Sequence, residues 1–183
     1  MTAFEVDSGP TRIDVRVHPV LFGFRVRVSG VTGRISATRL GDGLDLAAGV
    51  DAEVEMNVDD LDFGSALLTR TIRGAVDLAG DGRVAGRLTE VTEITDAPAD
   101  GYRFSFVVES GPLQGHLAAV CRVEWRDDGA AVVRGTTEFS AADFDLHGPG
   151  IDHLRGTCEW TVVALPRTGP ATPDPPEPIE RIQ

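Results

Sequence analysis

The stretch Cys121-Arg-Val-Glu-Trp-Arg-Asp-Asp-Gly-Ala-Ala-Val-Val-Arg-Gly-Thr-Thr-Glu-Phe139 decides the fold class of this chain. Its first part alternates apolar residues at 121, 123 and 125 with charged ones, and alternation returns between Val133 and Phe139. Such alternation is typical of a strand with one buried and one solvated face. Between the two runs lies Asp128-Gly129, a pair that favours the tight turn of a β-hairpin. The stretch therefore predicts two antiparallel strands joined by a short turn.

The same rhythm recurs along the chain. Asp-Gly pairs also occur at 42–43, 81–82 and 100–101. We expect type I′ turns at these pairs, except at 42–43, where the loop looks longer than two residues. The flanking runs alternate in the same way; they are Ile13–His18, Phe22–Val28, Val54–Val58, Tyr102–Phe106 and Cys158–Leu165.

Helical periodicity is nearly absent from the sequence. The two candidates for a helical turn are residues 64–73 and 140–144, the second with Ser140 as N-cap. Eight or more strands in one sheet leave edges exposed, and closure into a barrel removes them. We therefore predict an all-β fold, a single antiparallel eight-stranded lipocalin-like barrel with short helical turns. A two-sheet sandwich has the same period and stays open as an alternative.

Composition changes near the C-terminal end. Five prolines crowd residues 170–178, and apolar residues become rare. Such a segment buries too little surface to offset the entropy of ordering it. We expect a barrel domain at 1–166 and a Pro-rich disordered tail at 167–183.

Charge excludes several function classes. The net charge of −12 disfavours nucleic acid and anionic membranes as partners. All 17 basic residues are arginine, so chemistry that requires a lysine is excluded, including Schiff-base and P-loop chemistry. The first residues resemble no signal peptide, and no apolar run could span a membrane, so we expect a cytoplasmic, acidic protein.

The reactive side chains nominate no catalytic centre. Cys121 lies in phase with Val123 and Trp125, so we expect a buried thiol, and we expect Cys158 to be buried as well. A disulfide between them stays open. His147 and His153 flank a Gly-Pro-Gly loop without metal-ligand spacing, and His18 lies in phase with outward residues. We predict no enzyme activity, no metal and no cofactor.

Large apolar side chains recur on the predicted inward faces. They fill the barrel as a core, or they line a cavity for a ligand in which small residues such as Gly23, Ala119 and Gly135 leave room. The candidate ligand-binding residues are Phe22, Phe24, Val26, Phe104, Phe106, Trp125, Phe139, Phe144 and Trp160.

The order of these runs resembles the YceI-like family of lipid-binding barrels. Similar segments are Phe4–Asp7, Val28–Ile35, Glu53–Leu61 and Gly111–Gly115, and the clearest is Gly135–Leu146 followed by 152–164. The resemblance spans residues 3–166. The family's Arg-Asp-x-x-Leu-Arg-Ser segment is replaced here by Ala66–Gly74, and we expect no counterpart of its usual secretion signal.

The resemblance implies a non-catalytic carrier that holds a polyisoprenoid, an isoprenoid quinone or a fatty acyl lipid inside the barrel. Burying a long alkyl chain gains ~0.8 kcal/mol per CH₂ without any catalytic group. Two alternatives stay open, an enzyme acting on a small apolar substrate in the same barrel and a filled barrel that serves as an interaction module. The oligomeric state is open, with a homodimer as one possibility.

Overall fold

The structure is a computed structural model of the chain. It describes residues 1–18, 24–62, 82–95, 101–145 and 153–167. The helical turn predicted at 64–73, the turn residues Asp81 and Asp100, and the tail beyond Arg167 lie outside these residues.

Strands make up most of the described chain, and they lengthen toward its C-terminal half. In order they are β1 (Thr2–Val6), β2 (Arg12–His18), β3 (Phe24–Val28), β4 (Thr32–Ala37), β5 (Arg39–Leu40), β6 (Gly43–Leu44), β7 (Asp51–Asn57), β8 (Leu61–Asp62), β9 (Arg83–Ile94), β10 (Gly101–Ser110), β11 (Leu113–Trp125), β12 (Ala131–Ser140) and β13 (Arg155–Pro166).

Eight of these strands form a closed antiparallel ring in the order β1-β4-β7-β9-β10-β11-β12-β13. The ring closes because β13 pairs back onto β1, with Phe4 opposite Pro166 and Val6 opposite Ala164. Closure pairs the two edges that an open sheet would expose. The predicted eight-stranded barrel is confirmed, and the sandwich is excluded.

Three short strands continue the same wall. β2 pairs with the first half of β13, β3 pairs with β2, and β8 pairs with β3. Consecutive strands β1 and β2 thus occupy one position in the wall, as do β3 with β4 and β7 with β8. Each of these wall positions is a long strand interrupted once.

A buried threonine bridges the interruption between β1 and β2. Thr11 is 1% exposed, and its hydroxyl donates to the carbonyl of Asp7 (2.7 Å). The same oxygen accepts a hydrogen bond from the amide of Val163 (3.2 Å). The side chain of Thr11 therefore supplies a ladder bond where β13 changes its partner from β2 to β1.

The described turns differ from the predicted type I′. Between β11 and β12, the amide of Gly129 donates to Arg126 O (3.0 Å), and the amide of Arg126 donates to Ala130 O (2.9 Å). Gly129 has φ +81°, but Asp128 has no positive φ, whereas type I′ requires it at both central residues. The prediction is wrong here because Asp128-Gly129 belongs to a three-residue loop that ends in a left-handed glycine.

Two other turns have glycine at their first central position. Leu40 lies opposite Gly43, so the central residues are Gly41-Asp42, and Gly43 already belongs to β6. The longer loop expected around Asp42-Gly43 is therefore wrong. Gly111-Pro112 joins β10 to β11 with φ +55° at Gly111. A positive φ followed by proline fits type II′, and no Asp-Gly pair marks that turn.

The helical turns within the described residues are short 3₁₀ turns at Leu46–Ala48, Val58–Asp60 and Ala141–Phe144. The last confirms the helical turn predicted at 140–144. Both the amide and the hydroxyl of Ser140 donate to the Oδ2 atom of Asp143, at 2.6 and 2.9 Å. These two hydrogen bonds hold the start of the turn.

Candidate functional site

The inward face of the barrel can be read from the register of its strands. Across β12 and β13, Val133 lies opposite Val162, and Thr137 lies opposite Cys158. Of the alternate positions, Arg134, Glu138 and Glu159 are exposed, whereas Val132 and Val163 are buried. Five neighbouring strands therefore place only uncharged residues on the inward face: Ile13, Val15 and Val17 on β2; Tyr102, Phe104, Phe106 and Val108 on β10; Leu113 to Trp125, odd numbers, on β11; Ala131 to Phe139, odd numbers, on β12; and Gly156 to Pro166, even numbers, on β13.

This inward face differs in packing from one end of the barrel to the other. At one end, called here the closed end, Phe4, Ala37, Ala131 and Ala164 form a buried cluster, and Phe4 is 4% exposed. Further along, Phe104, Phe106, Leu117 and Trp160 keep part of their surface accessible although they point inward. The interior is thus tightly packed at the closed end and less tightly packed beyond it.

Six of the nine predicted ligand-binding residues share this inward phase, namely Val26, Phe104, Phe106, Trp125, Phe139 and Trp160. Phe104, Phe106 and Trp160 pack against a second buried cluster of Ala119, Cys121 and Val133. Val26 is buried opposite Val15, and Trp125 lies at the closed end, 5.8 Å from Phe4 between ring centroids. Phe24 lies on β3 opposite Val17, and Phe22 is outside the described residues.

Three aromatic rings cover glycines of the wall. The ring of Trp160 occupies the space that a Cβ at Gly135 would need, and the ring of Phe139 does the same at Gly156. In each pair the glycine and the aromatic residue lie directly opposite each other across β12 and β13. Phe144, on the 3₁₀ turn, covers Gly115 of β11. The expectation that Gly135 leaves room for a ligand is wrong, because the ring of its cross-strand neighbour fills that room.

The polar atoms of the inward tryptophans are satisfied within the protein. Trp160 Nε1 donates to Thr137 Oγ1 at 3.4 Å, and Trp125 Nε1 donates to Gly43 O at 3.2 Å. A buried indole N–H without an acceptor would carry a desolvation cost. The inward face therefore presents mainly carbon atoms to the interior of the barrel.

Both thiols lie on the inward face and are free. Cys121 and Cys158 are separated by β12, and two strand spacings amount to ~10 Å, too far for a disulfide. Burial raises the pKa of Cys121 to about 12. Burial, with the nearby charges of Asp14 and Glu159, does the same for the pKa of Cys158. At neutral pH both are protonated thiols and weak nucleophiles.

The outer face carries the charges. Asp14 lies 3.1 Å from Arg25, and Arg34 bonds Glu53 at 3.3 Å, both between neighbouring strands. A shallow groove of about 640 Å³ crosses the outside of β11, β12, β13 and β2, lined by Arg12, Arg122 and Arg134 among others. A second, of about 420 Å³, lies outside the barrel beside His18 and Arg155. Each groove is also lined by residues of the inward face, Gly135 and Trp160 in the first and Phe139 and Gly156 in the second.

Metal-ligating side chains do not converge in the part of the chain that the structure describes; no three of His, Cys, Asp or Glu come together there. His18, His116 and His153 are exposed, and His147 lies outside the described residues. Within the same residues, no helix is long and apolar enough to cross a membrane.

Many residues of the lining are absent from the predicted set, among them Tyr102, Leu117 and Thr137. Tyr102, Leu117 and Thr137 share the inward phase of their strands, so alternation places them correctly once the strands are known. They were missed because the prediction chose mainly large aromatic residues. The hydrogen bond of Thr137 to Trp160 joins β12 to β13 through side chains, and no local sequence signal announces it.

Comparison with known proteins identifies the fold through structure alone. No protein-family model matches the chain, and no curated protein matches it in sequence. BcnA of Burkholderia cenocepacia superposes with a TM-score of 0.67 at 9% identity, over 86% of this chain and 98% of that one. A polyisoprenoid-binding domain from Saccharophagus degradans gives 0.63 at 10% identity, over 91% and 100%.

The YceI protein of Campylobacter jejuni has the same architecture. It superposes with a TM-score of 0.58 at 8% identity, over 83% of this chain and 90% of that one. The YceI-like fold implied by the sequence resemblance is therefore confirmed.

Proposed function

We propose that this protein is a non-catalytic carrier that holds a long apolar ligand inside its barrel. The ligand class is a polyisoprenoid, an isoprenoid quinone or a fatty acyl lipid. One observation carries the proposal, the uninterrupted uncharged lining of β2 and β10–β13. An alkyl chain that leaves water for such a surface gains ~0.8 kcal/mol per CH₂ group.

The chemistry of the lining supports binding without catalysis. On these five strands no carboxylate, imidazole or guanidinium occupies an inward position. General acid–base catalysis requires a titratable group within hydrogen-bond reach of the reacting atoms. The two inward thiols have a pKa of about 12, far from the range of an activated nucleophile.

The shared fold adds independent support. One of the superposed structures is a polyisoprenoid-binding domain, and its whole length is covered by this chain. Because the identity is 10%, the likeness supports the barrel as a container, and the ligand class rests on the lining of this chain.

Native mass spectrometry tests the proposal directly. The purified protein, stripped of lipid and then incubated with ubiquinone or palmitic acid, is expected to gain one ligand mass per chain. That mass is lost when the protein is denatured, which serves as the control for adsorption. A mass that stays unliganded with both probes, while the protein remains folded, would refute the proposal.

A further inference from the structure

One hairpin of the chain does not belong to the barrel wall. β5 and β6 pair only with each other in the described chain, through the two-residue turn Gly41-Asp42. The hairpin Arg39–Leu44, called here the plug hairpin, leaves the wall after Ala37 at the end of β4. Leu44 then packs against the buried cluster of Phe4, Ala37, Ala131 and Ala164 at the closed end.

Two inward aromatic residues hold the plug hairpin by its backbone. The hydroxyl of Tyr102 accepts a hydrogen bond from the amide of Leu44 at 2.8 Å. Trp125 Nε1 donates to the carbonyl of Gly43 at 3.2 Å. These donors and acceptors are side chains of the lining on β10 and β11, so the hairpin is bonded to the interior rather than to a strand edge.

Glycine at position 43 is required for this contact. A Cβ at Gly43 would lie 2.5 Å from the hydroxyl oxygen of Tyr102, well inside van der Waals contact. On the other side, the guanidinium of Arg39 lies over the ring of Trp125, 5.8 Å from its centroid. The hairpin and the two aromatic side chains form one unit across the end of the lining.

We propose that the plug hairpin forms the blind end of the ligand channel and sets the longest chain that the barrel accepts. This inference rests on the proposed function. Tyr102 and Trp125 are the last inward residues of β10 and β11 at the closed end, and both bond the backbone of the plug hairpin. An apolar chain that advances along the axis as far as these two side chains therefore meets the hairpin. Accepting a longer chain requires that the bonds of Leu44 and Gly43 break and the hairpin move outward.

The plug hairpin can be loosened without changing the wall. Tyr102→Phe keeps the ring and removes only the acceptor of the Leu44 amide. Gly43→Ala acts on the same contact from the other side, because its Cβ displaces the Tyr102 hydroxyl. Leu40→Ala is the matched control, since Leu40 is 64% exposed on the same hairpin and makes neither bond.

The experiment measures uptake of geraniol, farnesol, geranylgeraniol and solanesol by native mass spectrometry. The wild type is expected to stop binding at one length in this series. Tyr102→Phe and Gly43→Ala are expected to bind the next longer prenol about tenfold better than the wild type does. Leu40→Ala is expected to keep the wild-type limit.

Amide hydrogen exchange gives a second readout that needs no ligand. Faster exchange at Leu44 in Gly43→Ala, which keeps the Tyr102 hydroxyl, shows that the hairpin has been released. An unchanged length limit in variants that are folded and released would overturn the inference while leaving the carrier function intact. A wild type that binds none of the four prenols would instead contradict a polyisoprenoid as the ligand, and it would overturn the inference as well.

Discussion

The indole of Trp160 covers Gly135, its directly opposite neighbour across β12 and β13. The ring takes the place that a side chain at 135 would need, so the pair keeps a large aromatic against the wall instead of across the barrel axis. In a second pair the two strands exchange roles, because Phe139 of β12 covers Gly156 of β13.

Filling the place of the Trp160 ring should therefore destabilise the barrel. Gly135→Ala is expected to lower the free energy of unfolding by about 1–3 kcal/mol, the usual cost of overpacking. Gly86→Ala is the matched control, because its Cβ would meet only Val54 Cγ2 at 3.2 Å. Urea denaturation measures both, and equal losses at the two positions would contradict the role of the ring.

A polar side chain on the inward face should weaken ligand uptake. Leu117 and Ala118 are consecutive on β11, and only Leu117 points inward, opposite Phe106. Leu117→Gln places an amide against the apolar ligand, with a desolvation cost of about 1–3 kcal/mol. Binding of a fluorescent fatty acid is expected to weaken about tenfold or more. Ala118→Gln should bind as the wild type does, and an equal loss in both variants would argue against a ligand inside the barrel.

The hydroxyl of Thr11 should contribute to the free energy of unfolding through its hydrogen bond as well as through packing. Thr11→Val preserves the shape but leaves the amide of Val163 without its acceptor. We expect a loss of about 1–3 kcal/mol in the free energy of unfolding, typical of a buried donor left unpaired. Thr11→Ser keeps the hydroxyl and should lose less. A valine variant as stable as the serine variant would show that the hydrogen bond between Thr11 and Val163 does not stabilise the junction of β1 and β2 with β13.

Alkaline pH should destabilise the folded protein through its thiols. The ordinary thiol pKa is 9.0, and burial raises both to about 12 in the folded chain. Between these values the unfolded chain has lost protons that the folded chain keeps, so stability falls as pH rises. The slope is at most ~1.4 kcal/mol per pH unit for each thiol.

Urea midpoints at about pH 8 and about pH 10 bracket the start of this loss. The double variant Cys121→Ala, Cys158→Ala is the control, and its midpoint should fall less between the two pH values. Equal slopes in the double variant and the wild type would rule the thiols out as the cause.

Strand alternation predicted which residues of the wall face inward, because successive side chains of a strand point to opposite faces. Cys121, expected to be buried from its phase with Val123 and Trp125, is 1% exposed. The turns were harder, because Asp-Gly pairs suit several turn types, and Gly111-Pro112 lacked the expected pair. The choice among turns depends on the register of the flanking strands, which no short stretch encodes.

The contents of the barrel were less predictable than its wall. Gly135 looks like empty space in a sequence, and only the cross-strand register shows that Trp160 fills it. The plug hairpin was also missed, since Tyr102 and Leu44 are 58 residues apart. The boundary at residue 166, the tail and the cytoplasmic location remain predictions, as does the ligand-binding role of the lining residues.

The pairing of β13 with both β1 and β2 has a consequence for synthesis. Before β13 leaves the ribosome, β12 and the N-terminal strands are both open edges of an unfinished sheet, and such edges favour pairing with other chains. Strand β13 closes the wall by joining residues 137 to 162 positions apart, and contacts of this range are slow to form.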